Sequence, residues 1–478
     1  LELPGVRGEF VKGHPVIAEP DFILPVCWII ICGGPVLEEV TMRKAWIAAP
    51  IVGFAAATGA VVWASQNADA AGDSMYQQIS LFSEVLAEVE DRYVDEIDER
   101  AAIRAAINGM LASLDPHSTY LAPEELQALQ EQTRGQYGGL GLEVTSEDGA
   151  VKVISPIDNT PASRAGIQPG DYLTAINGES IVGLGLNESV ERMRGDVGTS
   201  VTVRVHREGV DPFDVSLTRE VIQVRAVTTR VQDRVGIIRV STFNEQTYDA
   251  MQEGIRQIMR ETGGRPAGFI LDLRNNPGGL LPTAIDVADA FLERGEIVHT
   301  RGRRQSDMQL FTARAGDLTN GAQMVVLINN GSASASEIVA GALQDHSRAL
   351  IVGMASFGKG SVQTVLPIDG GREGALKLTT ARYYTPSGRS IQGAGIEPDR
   401  EIANTRVDAE ALSRSTRFME ENLPNALSNE TGARRRGVHV PDEQPPANWN
   451  TEDDYQLNRA VQLLQSGAVA QALQDHAG

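Results

Sequence analysis

The sequence predicts a multidomain α/β protein with a helical N-terminal domain, a β-rich module, an α/β core and a C-terminal helical segment. Three observations predict it. The apolar period changes along the chain from helical, to β, to alternating β and α. A length of 478 residues provides for about two to four domains. With 42% apolar and 22% charged residues, the chain can build large cores without disulfides. A formal net charge of −21 works against phosphate-backbone binding, which is built on basic surface and displaced counterions, so nucleic acid is excluded as a partner.

Residues 1–41 have no regular period and read as an upstream extension foreign to the native protein. Then come Met42-Arg43-Lys44, an apolar run from Ala45 to Ala64, and Ser65-Gln66-Asn67-Ala68-Asp69-Ala70-Ala71. A charged start, a hydrophobic stretch and a small-x-small site make 42–70 a signal peptide cleaved after Ala70. With about 20 apolar residues it also reads as an uncleaved membrane anchor. Either reading exports the rest of the chain. Both cysteines, Cys27 and Cys32, precede Met42, so the exported part has no disulfide and no thiol nucleophile.

Over 71–135, Ile79, Phe82, Val85, Leu86 and Val89, and later Ile103, Ala106, Ile107, Met110 and Leu111, recur at helical spacing, giving the helical N-terminal domain. Asp115-Pro116-His117-Ser118 breaks the pattern and Pro123-Glu124-Glu125 restarts it. Residues 136–220 carry short β runs (Leu142–Thr145, Val151–Ile154, Tyr172–Ile176, Val201–His206) between Gly, Pro, Asn and Asp turns, as in one compact β-rich module. Across 221–400, the runs Val235–Val240, Gly268–Leu273, Met324–Ile328 and Ala349–Val352 alternate with helical patterns at 247–260, 280–293 and 336–345. Residues 401–452 are polar and read as a loosely ordered linker. Residues 453–478 close on a C-terminal helix.

Two segments carry chemistry. Asn330-Gly331-Ser332-Ala333-Ser334-Ala335-Ser336-Glu337 joins an apolar strand to a helix start, where a serine sits beside free backbone N–H groups and the positive end of a helix dipole. Ser334-Ala335-Ser336-Glu337 is equally a capping box, which requires no catalysis. The second segment is Ser356-Phe357-Gly358-Lys359-Gly360-Ser361-Val362-Gln363. Five lysines, Lys12, Lys44, Lys152, Lys359 and Lys377, stand against thirty-seven arginines, and one of the five lies between two glycines. Its ordinary reading is a solvated loop lysine. Unlike arginine it can also lose its proton when buried, and a neutral lysine can activate a serine. Holding it neutral at pH 7 requires a pKa lowered by about 3.4 from its usual value. No His lies in a Gly-x-Ser-x-Gly elbow; His346, the best candidate for a triad, falls at the far end of the helix that Ser334 begins. No metal-ligand set is present, and no cofactor is implied.

These residues resemble the carboxyl-terminal processing peptidase (tail-specific protease) family, PDZ-containing serine peptidases. The resemblance covers most of residues 76–470. It rests on Tyr93-Val94-Asp95, Leu114-Asp115-Pro116-His117-Ser118, Gly138-Gly139-Leu140-Gly141, Leu271-Asp272-Leu273-Arg274-Asn275-Asn276-Pro277-Gly278-Gly279, the Ser334 and Lys359 segments, and Tyr383-Tyr384-Thr385-Pro386-Ser387-Gly388-Arg389-Ser390-Ile391-Gln392-Gly393. It implies a PDZ domain at 136–220 and a peptidase core at 221–400. Ser334 is then the nucleophile, Lys359 the general base and Gln363 the residue that orients it. The resemblance places the oxyanion against the Ala335 amide and a glycine of the 278–279 turn, and we take Gly279. Gly139, Leu140, Gly141 and Leu142 match the loop that holds a substrate's terminal carboxylate, where glycines let successive N–H groups turn inward while the tail adds as a strand. The expected function is an exported, periplasmic serine endopeptidase acting on protein or peptide substrates with apolar carboxyl termini. An adaptor protein and a homo-oligomer are further partners consistent with the resemblance. The alternative is a catalytically silent PDZ scaffold, which could dispense with Ser334, Lys359 and Gln363.

Overall fold

The computed structural model describes residues 74–477 apart from 148, 438, 439, 442 and 451. The expected extension (1–41), the signal or anchor (42–70) and both cysteines lie outside the described residues. Among the described residues no helix is long and apolar enough to cross a membrane. The chain divides into two units, the first ending at Ile97 and the second beginning at Asp98. The described part of the first is a helix over 74–92, with Ile79, Phe82, Val85 and Val89 exposed. The other two helices expected within 71–135, Glu99–Ala112 and Pro123–Arg134, belong to the second unit. Asp98 caps the first of them by accepting from Arg100 N and Ala101 N. The second begins on a proline and ends on left-handed Gly135.

The core of the second unit is a six-stranded sheet in the order Val227–Gln232, Val235–Val240, Gly268–Asp272, Met324–Ile328, Leu350–Gly353, Arg400–Glu401. The first pair is antiparallel and the others are parallel. Its central strands are buried at every position because both faces are covered. Ile238, Phe269, Leu271, Val326 and Ile351 point into one cluster, shared with the helices Thr247–Glu261, Leu281–Asp289 and Ala335–Asp345. The alternate residues Ile237, Ile270, Val325, Leu327 and Val352 pack against Leu457, Val461 and Leu464. The C-terminal segment thus covers a whole face of the sheet. It is two helices, Tyr455–Gln465 and Ala468–Ala477, because left-handed Gly467 ends the first.

A second, antiparallel sheet joins Thr119–Leu121, Ala375–Tyr384, Glu296–Gly302 and Gln309–Thr312, with Ser361–Pro367 also paired to Ala375–Tyr384. The β-rich module is a third sheet, in the order Leu142–Glu147, Ala150–Pro156, Tyr172–Ile176, Ser200–His206, Phe213–Thr218. Its core is Leu140, Val151, Val153, Leu173, Val203 and Val205, with the helix Leu186–Met193 along one side.

The expectation of a loosely ordered linker at 401–452 is corrected. Ile402 and Ala403 are buried, a helix spans Ala409–Thr416, and Glu420 is wholly buried. The polarity that suggested solvation is used internally: Glu420 accepts from Gln392 Nε2 at 2.8 Å and pairs with His117 Nε2 at 2.7 Å.

Candidate active site

The serine segment follows the strand Met324–Ile328 and packs against the turn after Gly268–Asp272. Two of its serines are structural. Ser332 Oγ donates to Leu273 O at 2.8 Å and Ser336 Oγ to Asn276 O at 2.9 Å. Ser334 makes no side-chain cap bond. It sits at φ 54°, ψ −110°, a conformation that costs about 1–3 kcal/mol in a non-glycine residue and that surrounding contacts must enforce. Only half of the expected capping box forms, the half in which Glu337 Oε2 accepts from Ser334 N at 2.7 Å. The Ser334 hydroxyl instead meets the Tyr383 phenol, whose pKa burial pushes up to about 12.

Asn276 locks the glycine turn to this segment. It accepts from Gly278 N on Oδ1 at 2.9 Å and from Ala333 N on its carbonyl at 3.0 Å. A Cβ on Gly278 (φ +104°) would lie 2.8 Å from Ala333 O and 3.0 Å from both Ala335 N and Ser334 Cβ. The neighbouring Gly279 bridges Phe243 in parallel fashion. Both of Phe243's bonds go to the residues flanking Gly279, from Phe243 N to Gly278 O at 3.0 Å and from Leu280 N to Phe243 O at 2.8 Å. The Gly279 N–H therefore points away from Phe243, whereas that of Gly278 is taken by Asn276.

The lysine loop lies against the serine helix through Glu337. This fully buried carboxylate accepts from Ser334 N, Ser356 Oγ (2.6 Å), Gly358 N (2.6 Å) and Lys359 N (2.9 Å). Burial pushes its pKa up while the four donors pull it down. The glycines flanking Lys359 admit the 392–393 backbone: a Cβ on Gly360 would meet Gln392 N at 2.3 Å, and Gly393 N donates to Gly358 O at 2.8 Å. Gly360 N donates to Gln392 Oε1 at 3.1 Å, and Gln392 in turn holds Glu420. Burial, and next the charge of Lys377, bring Lys359 down to about 8 against the opposing pull of Glu420, Glu337 and Asp115. A pKa near 8 leaves about one lysine in ten neutral at pH 7, less complete than the sequence reading required.

Lys359 Nζ donates to Gln363 Oε1, and Gln363 Nε2 donates to Ser361 Oγ (3.0 Å) and Thr379 Oγ1 (3.1 Å). Among the hydrogen bonds of the described residues none joins Lys359 Nζ to Ser334 Oγ. Lys359 and Gln363 are therefore in contact, and Ser334 is tied to them through Glu337. His346 stands at the opposite end of the serine helix with Nε2 on Glu296 O at 2.6 Å, so it takes no part. Glu337 was visible in the sequence only as a capping partner and Tyr383 only as a motif letter. Thr379 and Glu420 gave no local signal.

In the β-rich module, Leu140 O accepts from Ala162 N and Gly141 O from Ile157 N, both at 2.9 Å. Across a trans peptide the next N–H points the opposite way, so the amides of Gly141 and Leu142 face away from these partners. A Cβ on Gly141 (φ +77°) would meet the Thr160 side chain at 2.2 Å. Leu140, Leu142, Val144, Val190 and Met193 line an apolar groove between this strand and the helix Leu186–Met193, and Arg194 lies over the Tyr137 ring at 4.5 Å.

Residues 234–402 match Peptidase family S41 and residues 152–207 match the PDZ domain. The carboxy-terminal-processing protease of Bartonella bacilliformis is 52% identical over 326 residues, 68% of this chain and 75% of that one. The carboxy-terminal processing protease CtpA of Bacillus subtilis is 34% identical over 336 residues, 70% of each chain. Among solved structures, a photosystem II D1 C-terminal processing protease shares 31% identity, covering 73% of this chain and 98% of its own with a TM-score of 0.41. On its family matches and the Bartonella and Bacillus relatives, the chain belongs to peptidase family S41 as a PDZ-containing, serine-type carboxy-terminal processing peptidase.

Proposed function

We propose that this peptidase works through a Ser334/Lys359 pair on exported proteins with apolar carboxyl termini. A single observation carries the reading: Lys359 is half-buried with its pKa drawn down, and Glu337 ties its loop to the amide of Ser334. A neutral lysine has two N–H groups and one lone pair. Donating one N–H to Gln363 Oε1 leaves the lone pair for the Ser334 hydroxyl, so Gln363 orients the base. Ser334 Oγ attacks the scissile carbonyl as its proton passes to Nζ, and the resulting ammonium protonates the leaving amine. The oxyanion lies between the amides of Ala335 and Gly279, a choice supported by the commitment of Gly278 N to Asn276. The substrate's terminal carboxylate meets the amides of Gly139–Leu142 and its apolar side chains enter the groove below them. The charged-apolar-small pattern at 42–70 supports a site of action in a bacterial periplasm.

Lys359→Arg tests the base, since it keeps the charge and forbids deprotonation. We expect kcat on a peptide with a free apolar tail to fall by about 10³-fold or more. The wild-type rate should climb with pH through the lysine's value of about 8, because only the neutral form accepts a proton. Cleavage by Lys359→Arg at near wild-type rate overturns the reading.

A further inference from the structure

Asp115 is 3% exposed and stands 264 positions before Thr379, yet the fold brings them together. Its Oδ1 accepts from His117 N (2.8 Å), Ser118 N (2.9 Å) and Thr379 Oγ1 (3.0 Å), and its Oδ2 from Ser118 Oγ (2.6 Å). Burial pushes the Asp115 pKa up, but these four bonds outweigh it and hold the carboxyl below its usual range. An ionised carboxylate only accepts hydrogen bonds. Thr379 must therefore give its single proton to Asp115, which leaves its lone pairs for Gln363 Nε2 at 3.1 Å. With the NH₂ end of the amide placed on Thr379 and Ser361, the carbonyl end has to face Lys359 Nζ.

The direction of this chain bears on the chemistry. A reversed Gln363 amide would point an N–H at Lys359, and a neutral lysine would answer with its lone pair, the same lone pair that has to take the serine proton. We propose that Asp115 is a positioning residue for the reaction: acting through Thr379, it fixes which end of Gln363 faces Lys359 and so keeps the lysine lone pair open to Ser334. The proposal rests on the Ser334/Lys359 reading above. The same loop reaches the lysine a second way, since His117 pairs with Glu420, Glu420 holds Gln392, and Gln392 accepts from Gly360 N.

The test is a set of full-length variants assayed on a peptide with a free apolar carboxyl terminus. Asp115→Asn and Thr379→Val should each lower kcat about 30-fold with KM within about twofold. The double variant should be no slower than the slower single variant, because both break one chain. The groups that bear on Lys359 are Lys377, Glu420, Glu337 and Asp115. Removing the Asp115 charge removes a pull that favours the ammonium, so the acid limb of the pH profile should move to lower pH. The sharpest comparison uses Gln363→Glu, whose side chain offers an oxygen to Lys359 either way round. In that background Asp115→Asn should cost less than about threefold at the alkaline plateau. Should Asp115→Asn fail to fold, Thr379→Ser decides, since it restores the hydroxyl and should recover the rate that Thr379→Val loses. An unchanged kcat, losses that multiply in the double variant, or equal losses in the glutamine and glutamate backgrounds would each overturn the proposal. If Lys359→Arg is inactive while Asp115→Asn is fully active, this inference alone falls. If Lys359→Arg is active, the base assignment falls with it.

Discussion

The serine turn and the lysine loop face each other across Glu337, but they are held by different kinds of contact. The serine turn is anchored by the adjoining strand ends: Ser332 on Leu273 O, Ser336 on Asn276 O, and Gly278 N on Asn276 Oδ1. The lysine loop hangs from side chains far away in sequence: Asp115 through Thr379 and Gln363, His117 through Glu420 and Gln392, and Arg435, which donates to Phe357 O at 2.9 Å. Closing the parallel sheet therefore places the nucleophile, whereas the base reaches its position only after segments from three other parts of the chain have docked. A perturbation elsewhere in the molecule can reach the lysine more readily than the serine.

The largest expected effect isolates one serine among three. Ser334→Ala should abolish cleavage, a loss of about 10⁴-fold or more in kcat, with the melting temperature unchanged. Ser336→Ala, which removes a buried hydrogen bond, should lower the melting temperature and leave a measurable rate. The opposite pattern would put the nucleophile at Ser336. Next is the joint between the two halves. Glu337→Gln sets an NH₂ group against two of the four donors whichever way it turns, and we expect about a 10²-fold drop in kcat together with a lower melting temperature. A variant that keeps full rate would show that the halves align without this bridge. The smallest effect lies furthest from the chemistry. Amidating the substrate's carboxyl terminus should raise KM about tenfold with kcat little changed, and Gly141→Ala should do the same to the free acid. Equal KM values for acid and amide would remove the 139–142 loop from substrate capture.

The same division governs what could be read before folding. The serine turn is a local object, a strand, small residues and a helix start, so the segment stood out from its neighbours, while the family resemblance singled out Ser334, Ala335 and the Gly278-Gly279 turn. Lys359 stood out by rarity, in a chain that elsewhere uses arginine. Its supports had no local mark: Thr379 is one threonine in a β strand, and Glu420 lies in a stretch whose polarity reads as solvated until Gln392 and His117 are placed beside it. Asp115-Pro116-His117-Ser118 was visible as a motif, but its partners lie 264 and 303 positions away, beyond anything spacing can connect. The C-terminal segment was legible as helical, but as one helix, and the break at Gly467 was not seen. That this segment forms one wall of the central sheet depended on strands that mostly start more than a hundred residues earlier.

That wall also sets an order in time. Val235, Ile237, Ile270 and Val325 have their apolar neighbours in residues 457–469, and Arg274, at the start of the glycine turn, is held by Asp454 and Gln456. During synthesis, a chain presented from its amino end can close the PDZ sheet early, because that module's core is self-contained. The peptidase sheet keeps one bare face until residues 455–477 arrive. The PDZ module can thus form before the peptidase core, whose sheet and Arg274 wait for the segment from Asp454 onward.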